Sequence, residues 1–252
     1  MWEDGDDLTL ENFQKAQERY IDHLISFIPQ DVKTILDVGC GVGGNAIKLK
    51  EKGYDVTSLS PDLYQQQLFK ERTGGSIPFV LSRLEDFTPD KKYDMILMSE
   101  SVQYIPIDSA LAKARDILKD GGYILSSDYY RLENSRGAKV AHLPSFYLDD
   151  YLRFAKEFKF EKLKEDDISD RAMKTLYYGN MTYGNYIKPT LKAVLSFIEV
   201  YFPPVFWMIR VFFKMRIKGE KVEQIIRNNI IPMKPEDFSK YMKYKIYLLK
   251  KQ

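Results

Sequence analysis

Apolar residues recur at three- and four-residue spacing through Leu10, Phe13, Ala16, Tyr20, Leu24 and Phe27, which predicts an amphipathic helix over 10–28, ended by Pro29. An apolar run over 32–39 ends in glycine and reads as a buried strand. Strands are predicted over 54–60, 79–82, 93–99 and 123–128, and helices over 45–52, 61–72 and 109–118, the last closed by Asp120-Gly121-Gly122. The stretch 93–99, YDMILMS, is apolar almost throughout, as a central parallel strand should be. Strand–helix alternation over roughly 130 residues implies an α/β domain, doubly wound, with helices on both faces of a mostly parallel sheet. After residue 130 the pattern changes. A helix over 147–156 and a strand over 160–166 precede an aromatic, mostly helical stretch over 168–235. The chain then closes on YKIYLLK, whose alternation predicts a final strand.

Composition narrows the class. Of the 252 residues, 44% are hydrophobic and 29% charged, and the net charge is +2. That is the profile of a globular domain without the basic excess of a nucleic-acid binder. A single cysteine, Cys40, excludes an intrachain disulfide and agrees with a reducing, cytoplasmic setting. With two histidines, His23 and His142, no metal site is expected. The first 13 residues are acidic and lack the apolar core of a signal peptide.

The chemistry-bearing segment is ILDVGCGVGG, residues 35–44, placed between the first strand and the next helix. Glycines let the backbone approach a ligand, and the following helix offers free N–H groups at its start. The order of glycines is not the G-x-G-x-x-G of a dinucleotide site, and Asp37 stands two residues ahead of the first glycine. This turn resembles motif I of the class I S-adenosylmethionine (SAM)-dependent methyltransferases. The resemblance runs through about residues 30–130. It implies SAM as cofactor, S-adenosylhomocysteine as product, and a seven-stranded sheet with a late antiparallel strand.

Carried over residue by residue, the resemblance puts Asp37, Gly39, Cys40 and Gly41 at the cofactor. The family's ribose-binding acid is replaced here by Ser60, with Asp62 two residues on, so either one is a candidate. Leu84 and Glu85 follow the third strand, where the family holds adenine, although Arg83 departs from the common pattern. Ser99 and Glu100 leave the central strand at its carboxyl end, where open α/β sheets bind ligands. Gln103, Tyr104, Asp128 and Tyr130 are candidates for the acceptor, with packing as the plainer role of each tyrosine. His142 is the candidate general base, since its intrinsic pKa suits proton transfer near neutrality. No N-P-P-Y motif follows the fourth strand, which argues against DNA adenine or glutamine as acceptor.

The chain divides into a core over 1–167 with the N-terminal helix, a helical aromatic-rich cap or substrate insertion over 168–237, and a final strand over 238–252 returning to the core. Within 190–215, two prolines and several charges interrupt what would otherwise resemble a membrane span. This stretch reads as a cap between the last strands. A peripheral membrane contact is the alternative, since Phe206, Trp207, Phe212 and Phe213 precede Lys214, Arg216, Lys218 and Lys221. The expected function is methyl transfer from SAM to an oxygen or nitrogen of a small apolar or aromatic molecule. The alternatives are a lipid or isoprenoid methyltransferase at a membrane surface and a non-catalytic SAM-binding module.

Overall fold

In the computed structural model, which describes residues 1–138, 146–216 and 232–252, the apolar runs assemble into one seven-stranded sheet. The strands are β1 (Thr34–Val38), β2 (Asp55–Ser60), β3 (Phe79–Leu81), β4 (Tyr93–Ser99), β5 (Leu118–Arg131), β6 (Phe160–Asp167) and β7 (Met242–Lys251), in the order β3-β2-β1-β4-β5-β7-β6. The pairs from β3 to β5 are parallel, whereas β7 runs antiparallel between β5 and β6. The doubly wound, mostly parallel sheet with a late antiparallel strand is therefore what the chain forms.

Helices α1 (Leu10–Ile25), α2 (Gly44–Glu51), α3 (Leu63–Thr73), α4 (Ile107–Ile117) and α5 (Leu148–Glu157) cover the sheet. Two apolar clusters result. One joins Leu36, Ile96, Ile124 and Leu249 with α4 and α5. The other joins Ile35, Met95, Leu125 and Leu248 with α1, α2 and α3. Neighbouring strand residues point to opposite faces, so Ile35 and Leu36 serve different cores.

Two boundaries differ most from the sequence pattern. Strand β5 begins at Leu118 rather than 123, because Lys119–Gly122 bulge out of a strand that already pairs Leu118 with Tyr93. At the other end, Pro235 in the first turn starts a short helix α9 (Pro235–Tyr241), so β7 begins at Met242 and not at 238.

Between β6 and β7, α6 (Ser169–Thr182) is fastened to the core: the Tyr178 ring stacks on Phe13 at 5.0 Å, and Trp2 Nε1 donates to Thr175 Oγ1 at 2.9 Å. A π-helical turn, Tyr183–Ile187, carries the helix on into α7 (Lys188–Tyr201). Pro203 and Pro204 open α8 (Pro203–Arg216), bent 119° from the preceding helix. The large apolar residues of α7 and α8 are mostly exposed. No single described helix is long and apolar enough to cross a membrane, although this bent pair qualifies by length and composition.

Candidate cofactor and acceptor site

The glycine turn lies at the carboxyl end of β1 and its glycines do different things. Gly39 has φ +72°, and a Cβ there would fall 2.4 Å from the Cβ of Ser101, so this position fixes the approach of the β1 turn to the turn after β4. Ser101 completes that junction by donating from Oγ to the carbonyl of Val38 at 2.7 Å. Gly41 also has positive φ, +54°, but faces open space. Gly43 caps α2 without a side-chain hydrogen bond, which leaves the first amides of α2 available to a ligand.

Asp37 is buried below this turn, and its Oδ2 has no hydrogen-bond partner among the described residues. Burial pushes its carboxyl up to about 7. An orphaned buried carboxylate is costly until a cation or a donor arrives. Burial, and next the neighbouring Asp37, raise the Cys40 thiol well above its usual range, so Cys40 is wall and not nucleophile.

Two cavities open from the turn. The first, about 510 Å³, lies over β2 and β3 and is lined by Ser60, Asp62, Gln65, Leu84, Glu85 and Tyr104, among others. The loops predicted to hold ribose and adenine thus meet in one place. Ser60 is buried, and its Oγ donates to Gln65 Oε1 at 2.9 Å. Asp62 Oδ1 accepts from the amides of Tyr64 at 2.8 Å and Gln65 at 3.0 Å, capping α3. Gln65 is a wall residue that the strand-end reading overlooked, because it sits in the first turn of α3 and not on the loop.

The second cavity, about 890 Å³, lies between α1, α6 and the ends of β4 and β5. Cys40, Gly41 and Ser99 line it, and Gly39 and Glu100 line both cavities. Its floor is a phenol network. Tyr244 donates to Glu100 Oε1 at 2.6 Å, and its oxygen lies 3.1 Å from that of Tyr20. Tyr20 donates to Ser127 Oγ at 2.8 Å and lies 2.9 Å from Ser99 Oγ. The Tyr129 ring packs on Tyr244 with centroids 4.3 Å apart. Burial first, then the nearby Glu100 charge, raises Tyr20 to about 12, and Tyr244 and Tyr129 also rise well above their usual value. All three phenols therefore stay protonated at neutral pH. Glu100 itself has φ +56°, a left-handed conformation uncommon outside glycine, at the point where the cavities join.

Three sequence candidates lie outside both cavities. Asp128 is fully buried and spends its oxygens on the amides of Tyr129 (2.8 Å) and Gln103 (3.2 Å), so it orders the turn after β4 and lines neither cavity. Burial also raises its carboxyl to about 7. Gln103 lies on that turn and lines neither cavity. Tyr130 points to the opposite face of β5, into an aromatic core with Phe146, Tyr151 and Tyr247. His142 lies outside the described residues. Conversely, Tyr20 and Tyr244 were missed because they lie 224 residues apart and belong to no local motif; the sequence signal was a single polar-headed member in the stripe of α1.

The orphaned Asp37 oxygen, the open face at Gly41, the free amides of α2 and a cavity sized for a small ligand all fit SAM lying across the turn. Comparison with known proteins agrees. A family model described as a methyltransferase domain matches residues 13–164. The malonyl-[acyl-carrier protein] O-methyltransferase 2 of Ilyobacter polytropus is 30% identical over 128 residues, covering 48% of this chain and 49% of that protein, so the chain spans about half the length of this relative. The ubiquinone biosynthesis O-methyltransferase of Rickettsia felis is 25% identical over 188 residues, 69% of this chain and 77% of that protein. Among solved structures, the geranyl diphosphate C-methyltransferase of Streptomyces coelicolor, crystallised with S-adenosyl-L-homocysteine, superposes with a TM-score of 0.65 at 14% identity, over 98% of this chain and 86% of that one. The chain belongs to the methyltransferase-domain family, in the class I group whose cofactor is SAM.

Proposed function

We propose that this chain transfers the methyl group of SAM to an oxygen or nitrogen of a small, apolar or aromatic acceptor. The observation that carries this reading is the junction of the two cavities at Gly39 and Glu100, at the carboxyl ends of β1 and β4. The cofactor, when bound, supplies an electrophilic methyl on a sulfonium. Ser60, Asp62 and Gln65 would hold its ribose, Leu84 and Glu85 its adenine, and Asp37, Gly41, Cys40 and Ser99 its amino-acid end. The rings of Tyr20, Tyr129 and Tyr244 exclude water from the acceptor side and orient the acceptor for in-line attack. Glu100 accepts hydrogen bonds at the junction, and this carboxylate takes the proton that a hydroxyl or ammonium acceptor must lose. His142 is the base suggested by sequence alone.

Calorimetric titration with SAM, S-adenosylhomocysteine and NAD tests the cofactor: micromolar binding of the adenosyl compounds and none of NAD is expected, and the reverse would sink the assignment. Transfer of labelled methyl to a panel of phenols, amines and carboxylic acids tests the acceptor. Glu100→Gln should lower turnover at least tenfold with SAM affinity kept, whereas His142→Ala should leave it unchanged; the opposite pattern returns the role to His142. Binding with no transfer to any acceptor would favour the non-catalytic module. A second reading, a lipid or isoprenoid acceptor, draws on the names of the ubiquinone and geranyl diphosphate enzymes and on the exposed apolar helices α7 and α8.

A further inference from the structure

The apolar residues of α7 and α8 are the largest unexplained feature of the molecule. Leu191, Val194, Phe197, Val200, Trp207 and Met208 are each about half exposed or more. Elsewhere most such residues are buried, with exceptions such as Leu10, Leu63 and Tyr104, and a soluble surface rarely leaves so many together. The two helices face mainly each other and the adjoining π-helical turn, with Phe197 against Tyr201 (centroids 4.7 Å) and Phe202 (6.0 Å).

Charge along this hairpin is sorted by position. Lys188 and Lys192 stand at the start of α7, and Arg210, Lys214 and Arg216 at the end of α8. The 119° bend carries α8 back from the bend at 202, so both basic ends lie away from it. Between them, residues 193–209 hold one charge, Glu199, and include Trp207, Tyr201 and three phenylalanines. Five cations against one carboxylate make the hairpin basic although the whole chain is nearly neutral.

We propose that the α7–α8 hairpin docks this protein on an anionic membrane surface. Its aromatic bend enters the boundary between headgroups and acyl chains, and the basic ends lie against the headgroup phosphates. Neither helix crosses the bilayer. Aromatic rings suit that boundary, and long basic side chains keep their charge at the headgroups while their stems cover apolar surface. A second copy of the chain would cover the apolar bend equally well but would gain nothing from five cations, which its own hairpin would repel. Membrane docking is independent of the acceptor and of methyl transfer, which the labelled-methyl panel reads separately.

The test uses the full chain and sedimentation with vesicles of phosphatidylcholine alone or mixed with phosphatidylglycerol. Binding to the mixed vesicles is expected, weakening as salt rises. Trp2 is 4% exposed and Trp207 65%, so a blue shift of emission on binding reports Trp207. The double variant Phe197→Ser, Trp207→Ser should bind at least tenfold more weakly, with SAM binding kept as proof of folding. Lys188→Ala with Lys192→Ala should weaken binding and flatten its salt dependence. Glu199→Gln should strengthen it. Wild-type protein that stays in the supernatant with both vesicles overturns the proposal. So does a double variant that binds undiminished, or self-association relieved by the double variant without vesicle binding.

Discussion

The two ends of the chain's aromatic inventory meet opposite fates. On one face of β5 and β7, Tyr130, Tyr151, Tyr247 and Phe146 interlock with centroids 5.1–6.1 Å apart, almost without exposure. On α7, α8 and the bend between them, Phe197, Tyr201, Phe202 and Trp207 are half exposed or more. Residue type is the same; what differs is whether a sheet lies beneath. A strand gives an aromatic side chain a facing layer, whereas a helix projecting past the sheet offers it only its neighbour. Aromatic richness in a sequence therefore says that a surface must be covered, not what covers it.

The sharpest way to break this contrast is Tyr151→Ala. It removes a buried ring and the 2.7 Å hydrogen bond between its hydroxyl and Ser126 Oγ, and should cost about 3–5 kcal/mol in denaturant unfolding. Gly39→Ala comes next. Its Cβ meets Ser101 and its φ is unfavourable, so a loss of about 2–4 kcal/mol is expected together with loss of SAM binding.

Asp37→Asn should move the two properties apart. Asp37 and Asp128 keep their protons up to about pH 7 in the folded protein, whereas an unfolded chain releases them near 3.8. The folded state thus binds more protons between those values, and stability from these groups falls as pH rises through that window, then levels off above it. Asparagine at 37 removes half of that dependence, so thermal unfolding at pH 8 should shift upward while calorimetry shows weaker SAM binding. An unchanged pH profile of stability would contradict the buried, unpaired carboxyl. The smallest effect belongs to the hairpin: Phe197→Ala should change stability by no more than about 0.5 kcal/mol, because nothing is left empty beneath it.

The sequence made the parallel half of the fold readable because each strand there is a short apolar run with its own turn signals. YDMILMS forms β4 over Tyr93–Ser99 as its pattern required. The glycine turn and the loops at 60–62 and 84–85 were readable for the same reason: each functional group lies within a few residues of a strand end. The phenol network was not, because Tyr20, Glu100, Tyr129 and Tyr244 come from α1, the turn after β4, β5 and β7, and only the closed sheet brings them together. Asp128 and Tyr130 line neither cavity because of the way they face. Both leave the correct end of β5, but one faces a turn amide and the other the far core. Strand ends locate a site, and facing directions decide who enters it.

The helix that begins at Ser169 in the wall of the second cavity continues through the π-helical turn to Tyr201. At 1.5 Å per residue, the stretch from Thr175 to Tyr201 is about 40 Å long. That makes it a lever: about 10° of tilt at the π-helical turn moves the far end by roughly 4 Å, since the 14 residues of α7 lie beyond it. Small changes of helical winding at Tyr183–Ile187 therefore become large changes of reach, and the cavity at one end is mechanically joined to whatever holds the other.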